Sequence, residues 1–173
     1  MDYNLFREQY DFICLKGLKG EGETWEIQDK KNFRLYDYVE VDLRDEMIDK
    51  HKKYCDHLMS LNHEKLLNMK SYTYLFKEDI LDDPYCKFYM VFEYSESSLF
   101  RELQTLSMKN QLLKPKMFLN LFTSLLSSID YLHSMSVFHG NIQSNFVCLH
   151  DKQGFKLMPN YIKVIKEYKK KKS

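Results

Sequence analysis

Between residues 10 and 41 apolar and polar side chains alternate and glycines interrupt the pattern, which predicts antiparallel strands with one buried face. From 44 to 61 the period lengthens to that of a helix, and Met47, Ile48, Tyr54, Cys55, Leu58 and Leu61 supply a stripe for burial. Strand character returns over 66–76 and 86–93, on either side of a polar turn at 77–84. Beyond residue 94 the chain becomes mainly helical, over 99–106 and again over 116–135, where Pro115 suits the first helical position. Two short strands, 147–149 and 155–158, close the pattern. The expected fold class is α+β: a five-stranded antiparallel sheet with one helix, followed by a smaller, largely helical part.

The second long helix is unusually apolar. Phe118, Phe122, Leu125, Ile129 and Leu132 share one face, and Leu119, Leu121 and Leu126 widen the stripe around the circumference. Such a helix needs cover on more than one side, so the face running from Phe118 to Leu132 is expected to meet a protein partner, a second copy, or the segment from Tyr161 to Tyr168.

Composition narrows the picture further. The 173 residues suffice for one or two small packed units. The 26 basic and 25 acidic residues leave a net charge of +1, too little for a global field that attracts nucleic acid. The run Lys169 to Lys172 reads as a solvated tail rather than a nucleic-acid or anionic-membrane anchor. The polar start Met1-Asp2-Tyr3-Asn4 and the lack of a long apolar run imply no signal peptide and no transmembrane segment, hence an intracellular protein, cytoplasmic or nuclear. Cys14, Cys55, Cys86 and Cys148 form no Cys-x-x-Cys pair and read as free thiols. His51, Cys55, His57 and His63 do not complete a recognised metal-ligand spacing.

The segment with most to say about function starts at Tyr131-Leu132-His133 and passes through Val137-Phe138-His139-Gly140-Asn141-Ile142-Gln143-Ser144-Asn145-Phe146-Val147 to Phe155-Lys156-Leu157-Met158. It resembles the protein-kinase pattern of a helix ending in Tyr-Leu-His, then His-Arg-Asp-Leu-Lys-Pro-x-Asn, a strand, a turn, and Lys-Leu-x-Asp-Phe-Gly. Upstream, Lys87-Phe88-Tyr89-Met90-Val91-Phe92-Glu93-Tyr94 is similar to the strand entering the kinase hinge, and Leu58-x-x-Leu61-Asn62-His63 to the end of the regulatory helix. Gly20-Glu21-Gly22-Glu23-Thr24-Trp25 resembles a Gly-rich loop whose third glycine is Trp25. The resemblance implies a small kinase-like lobe over 1–94, an incomplete large lobe over 95–161 and a lysine-rich tail over 162–173. It also implies a candidate nucleotide cleft at Gly20, Gly22, Phe92, Glu93, Tyr94 and Ser95, with ATP as the candidate cofactor.

Carried over position by position, the resemblance also implies that catalysis is lost. The strand lysine falls on Tyr38 and its helix glutamate on Tyr54. In the catalytic loop His139 is retained, but the arginine is Gly140, the aspartate Asn141, the lysine Gln143 and the metal-binding asparagine Phe146, with Asn145 one position away. The magnesium-binding aspartate falls on Pro159. Phosphoryl transfer depends on positioned charge around phosphates and metal, and Asn141 cannot accept a proton at neutral pH. Losing the carboxylates speaks against magnesium. The expected function is therefore a truncated pseudokinase-like scaffold or regulator. The alternatives are a divergent serine/threonine kinase using Asn145, Asp151 and the basic residues Lys30, Lys31 or Arg34, and a degenerate gene fragment, since the chain runs only about a dozen residues past the Asp-Phe-Gly position.

Overall fold

The computed structural model describes residues 3–19, 22–44, 47–77, 85–150 and 154–162. It is α+β. Helix α1 (Tyr3–Gln9) precedes strands β1 (Tyr10–Lys19), β2 (Gly22–Asp29) and β3 (Leu35–Arg44); α2 (Ile48–Ser60) then leads to β4 (Met69–Lys77) and β5 (Tyr85–Glu93). These five strands form one antiparallel sheet in the order β1-β2-β3-β5-β4. A short strand β6 (Ser97–Ser98) follows, then α3 (Leu99–Met108), α4 (Pro115–Ser134) and the hairpin β7 (Val147–His150) with β8 (Gly154–Leu157), which pairs with β6 in a second sheet. The polar turn at 77–84, the Asp151 turn and the lysine run Lys169 to Lys172 fall wholly or mostly outside the described residues.

Strand alternation gives the large sheet two different faces. Val39, Val41 and Leu43 of β3 and Phe88, Met90 and Phe92 of β5 turn toward α2, where Ile48, His51, Cys55 and Leu58 form the buried stripe at helical spacing. The same apolar cluster continues through Leu132, Phe146, Val147, Phe155 and Leu157, so both halves of the chain share one core. On the opposite face Phe6 of α1 packs with Tyr10, Ile27, Tyr38, Tyr89 and Val91. The periodicity does not announce α1. It has only seven residues, and packing of Phe6 onto the ring of Tyr38 (5.7 Å between centroids), rather than intrinsic propensity, accounts for a helix this short.

The expected strand over 66–76 begins later, at Met69, because Leu66 and Leu67 are used elsewhere. Leu66 makes a parallel bridge to Leu157, the Leu67 amide donates to the Leu157 carbonyl (2.9 Å), and the Leu157 amide donates to the Lys65 carbonyl (2.8 Å). This backbone splice ties the connection between α2 and β4 to the second sheet. Helix α4 then packs through Ser124, Ser128 and Leu132, flanked by half-buried Leu121, Leu125 and Ile129. The Ser128 hydroxyl donates to the Lys65 carbonyl at 2.7 Å, which the small side chain permits. The buried sector is thus rotated from the expected stripe: Leu125, Ile129 and Leu132 turn inward, while Phe118, Leu119, Phe122 and Leu126 remain 60%, 62%, 53% and 52% exposed.

His51 is fully buried on α2, edge-on to Phe88 at 4.7 Å between ring centroids, and neither ring nitrogen has a hydrogen-bond partner. Burial pushes its pKa down to about 4. The unfolded chain, with an ordinary histidine pKa of about 6.5, binds this proton first. Stability therefore falls as pH drops below about 6.5 and levels off below about 4. By pH near 4.5 this site should remove roughly 2–3 kcal/mol. Urea unfolding of the wild type and of His51→Leu at neutral and mildly acidic pH measures it: the variant should lose less stability on acidification, and equal losses would contradict the assignment.

Candidate functional site

The cleft between β1, β2, β3 and the segment after β5 is lined by charge. Lys16 sits at a bulge in β1, and its side chain, only 6% exposed, turns inward. Its ammonium donates to Asp37 Oδ1 at 3.0 Å and to the Ser95 carbonyl, and lies 3.6 Å from Glu26. It also rests 3.8 Å from the centre of the Tyr94 ring, a cation–π contact. Asp37 is fully buried, and its other oxygen accepts from the Ser95 hydroxyl at 2.6 Å. Burial raises the Tyr94 pKa, with Glu26 and Asp37 adding to it. Thr24, beside this cluster on β2, is fully buried with its hydroxyl unpartnered. A buried ammonium and carboxylate need each other, because either one alone would stand uncompensated in a poorly hydrated place.

Outside this cluster a cavity of about 360 Å³ opens between β1 and α3, lined by Leu15, Lys16, Gly17, Ser98, Phe100 and Arg101 among others. Ser98 caps α3 by accepting from the Arg101 amide, and the Arg101 guanidinium donates to the Lys16 carbonyl at 3.1 Å. Gly17 has φ of +98°, which only glycine adopts readily.

Below the cleft, aromatic rings fill the space around the loop 137–146. Phe92, Tyr161 and Phe146 are each fully buried; Tyr161 stands 5.9 Å from Phe92 and 6.0 Å from Phe146, and Phe146 meets His139 edge-on at 5.5 Å. The partners of His139 define its tautomer. Nε2 faces the Met158 carbonyl at 2.9 Å and must donate, whereas Nδ1 accepts from the Asn141 amide at 3.2 Å. His139 is thus a neutral brace between the loop and the end of β8. The Asn141 amide oxygen accepts from the Gln143 side chain. Gly140 is exposed with φ of +69°, and a Cβ there would meet open space.

Glu93, the last residue of β5, anchors a third cluster. Its carboxylate accepts from Lys156 at 2.8 Å, Lys70 at 2.8 Å and the Asn68 amide at 3.2 Å. Burial by itself would raise the Glu93 pKa, but the bonds from Lys156, Lys70 and Asn68 outweigh it and hold the carboxyl at about 2. The ion pair joins β5, β4 and β8.

The candidate cleft residues are thus only partly united. Phe92, Glu93, Tyr94 and Ser95 line one strip, but with side-chain roles within the protein. Gly20 lies outside the described residues, and Gly22 opens β2 opposite Lys19. Trp25, at the third glycine position of the Gly-rich pattern, is on the other face: it sits between Leu15 and Tyr38 in register and its ring meets Phe12 edge-on at 6.3 Å. Tyr38 likewise faces α1, because odd-numbered residues of β3 point toward α2, so Val39 and Val41 occupy the inner positions. Tyr54 reaches the segment after β8, donating to the Asn160 carbonyl at 2.9 Å, and Asn160 in turn donates to the His139 carbonyl at 2.7 Å. Lys30, Lys31 and Arg34 are grouped at the β2–β3 turn, about 23 Å along β2 from Gly22. Asn145 is half-buried beside Phe146, and Asp151 is outside the described residues.

Sequence reading missed Lys16 and Asp37. The available signal was parity: Asp37 shares its face of β3 with Val39, Val41 and Leu43, and a carboxylate in that row needs a partner. Among the described residues no group of three or more His, Cys, Asp or Glu side chains could hold a metal ion, and no helix is long and apolar enough to cross a membrane. No protein-family model matches the chain, and no curated protein matches it.

Proposed function

We propose that this protein is a kinase-like binding module that does not transfer phosphate, and that it works through protein contacts as a scaffold or regulator. The element order supports the kinase-like part: a five-stranded sheet with one packed helix, a short link, helices, and a loop braced by His139. The observation that carries the inactive part is the filled cleft. On the resemblance to protein kinases, a purine would enter between β1, β3 and the segment after β5, where the Lys16 ammonium, Asp37 and Ser95 already bond one another. Where metal and phosphates would lie, Phe146 and Tyr161 are packed.

The magnitudes favour this reading. Breaking a buried ion pair costs about 3–5 kcal/mol, and micromolar affinity amounts to about 8 kcal/mol. A nucleotide that had to part Lys16 from Asp37 would bind roughly 10²–10⁴-fold more weakly than in an open cleft. No carboxylate stands at Asn141, Phe146 or Pro159 to recover that loss through a metal.

For contacts, the outer face of α4 is the surface with most to gain. Covering the exposed parts of Phe118, Leu119, Phe122 and Leu126 would contribute about 3–6 kcal/mol. Four large apolar side chains on one helix face form the kind of patch that marks an interaction site.

Thermal unfolding with ATP, with and without magnesium, tests the cleft, since a ligand specific for the folded state raises the midpoint. The midpoint should not move. A magnesium-dependent rise, with phosphate transfer abolished by Asn141→Ala, would overturn the proposal. The α4 face is tested with Phe118→Ser combined with Phe122→Ser. Folding stability should change by no more than about 1 kcal/mol, while self-association or partner capture by the purified chain should weaken; a loss of several kcal/mol would mean that the chain covers this face itself.

A further inference from the structure

The turn between β2 and β3 carries a feature that neither the cleft nor the α4 face explains. Phe33 is the last of the four residues between the closing pair Asp29 and Arg34, with φ of +58° and 72% of its surface exposed. A bulky residue in the left-handed region is an outlier, because its Cβ crowds the backbone; glycine or asparagine suits such a position. The chain thus keeps a large ring where both backbone and solvation disfavour it.

The turn is rigid. The Phe33 amide donates to the Asp29 carbonyl (2.8 Å), and the Asp29 amide to the Arg34 carbonyl (3.0 Å). Asp29 Oδ1 accepts from the amides of Lys31 (2.8 Å) and Asn32 (3.2 Å), and its Oδ2 from the Gln9 side chain (2.8 Å). The Arg34 amide donates to Asn32 Oδ1, and Gln28 donates to the Phe33 carbonyl. The ring is therefore presented on a fixed platform.

Around it stand Lys30, Lys31 and Arg34, all exposed, and the Lys30 amide bonds the Gln9 carbonyl, which brings the end of α1 with Arg7 alongside. The nearby acids offset only part of this charge. Asp29 is buried and used inside the turn, Asp11 lies 3.4 Å from the Lys30 ammonium, and Glu8 is exposed on α1.

We propose that this turn docks the protein on an anionic phospholipid surface, with Phe33 entering the interfacial layer and Lys30, Lys31 and Arg34 meeting lipid phosphates. Aromatic rings partition into that layer, and each cation near a negative leaflet adds attraction. A single exposed ring beside three cations suits a planar surface. Single-stranded nucleic acid instead calls for a groove with successive stacking platforms, and this turn offers one ring. Binding through one ring and three cations should be weak, reversible and salt-sensitive.

The test is co-sedimentation of the full chain with vesicles of phosphatidylcholine containing phosphatidylserine, against phosphatidylcholine alone, at low and high salt. Wild type should favour the anionic vesicles and release in high salt. Phe33→Gly suits the backbone, so it should melt no lower than wild type while binding about 5- to 10-fold less; Phe33→Trp should bind at least as well as wild type. Lys31→Glu with Arg34→Glu should abolish the preference for anionic lipid. Equal binding to both vesicle types would overturn the proposal. So would undiminished binding by Phe33→Gly, which would assign the association to the lysines at 169–172, or binding to single-stranded RNA without binding to vesicles.

Discussion

The Lys16–Asp37 pair organises the cleft around it. An ammonium and a carboxylate withdrawn from water are costly alone and tolerable together, so β1, β3 and the segment after β5 are obliged to keep the spacing that lets Lys16 reach Asp37 and the Ser95 carbonyl. Ser95 satisfies the second carboxylate oxygen, and Tyr94 offers its ring face to the cation. On the proposed reading the same contacts occupy the space a flat heterocycle would need. Structure and lack of nucleotide chemistry thus have one physical cause on the proposed reading.

Two other features extend this organisation through the molecule. Glu93, two residues before Ser95, carries Lys70 and Lys156 and so fixes the end of β5 to both β4 and β8. Beneath it the aromatic sequence Phe92, Tyr161, Phe146 and His139 continues into the core shared with α2. Polar contacts set the geometry at the top of the cleft, and apolar packing sets it below. The outer face of α4 and the exposed ring of Phe33 lie at the periphery, away from both.

Much of the fold was legible because period and parity carry it. The five strands, α2 as a helical stripe running to Leu61, the start of α4 at Pro115 and the β7–β8 hairpin all follow from the spacing of apolar residues and turn residues, although the helix expected from 44 starts at Ile48 because β3 runs on to Arg44. The failures have physical reasons. Helix α1 depends on a tertiary contact with Tyr38 that no local pattern contains. The buried sector of α4 is centred on Ser124 and Ser128, small polar residues that an apolar stripe passes over. In the candidate site, Trp25 and Tyr38 were aligned by motif spacing, but a one-residue change of parity moves a strand residue to the opposite face. Lys16 was hidden by a bulge, which breaks the alternation that would have marked it as inward. His139, retained in the loop pattern, bonds the Met158 carbonyl and the Asn141 amide and so braces the loop.

The most direct test of the central claim is a double-mutant cycle on the buried pair, using Lys16→Met and Asp37→Leu and measuring unfolding free energy. Lys16→Met leaves the buried Asp37 carboxylate without its cation and should cost about 3–5 kcal/mol; Asp37→Leu, which leaves Glu26 3.6 Å from the ammonium, should cost less, and the double variant should lose less than the sum, giving a coupling of at least about 2 kcal/mol. Small and additive effects of the two substitutions would show that Lys16 and Asp37 do not hold the cleft closed, and would contradict the account.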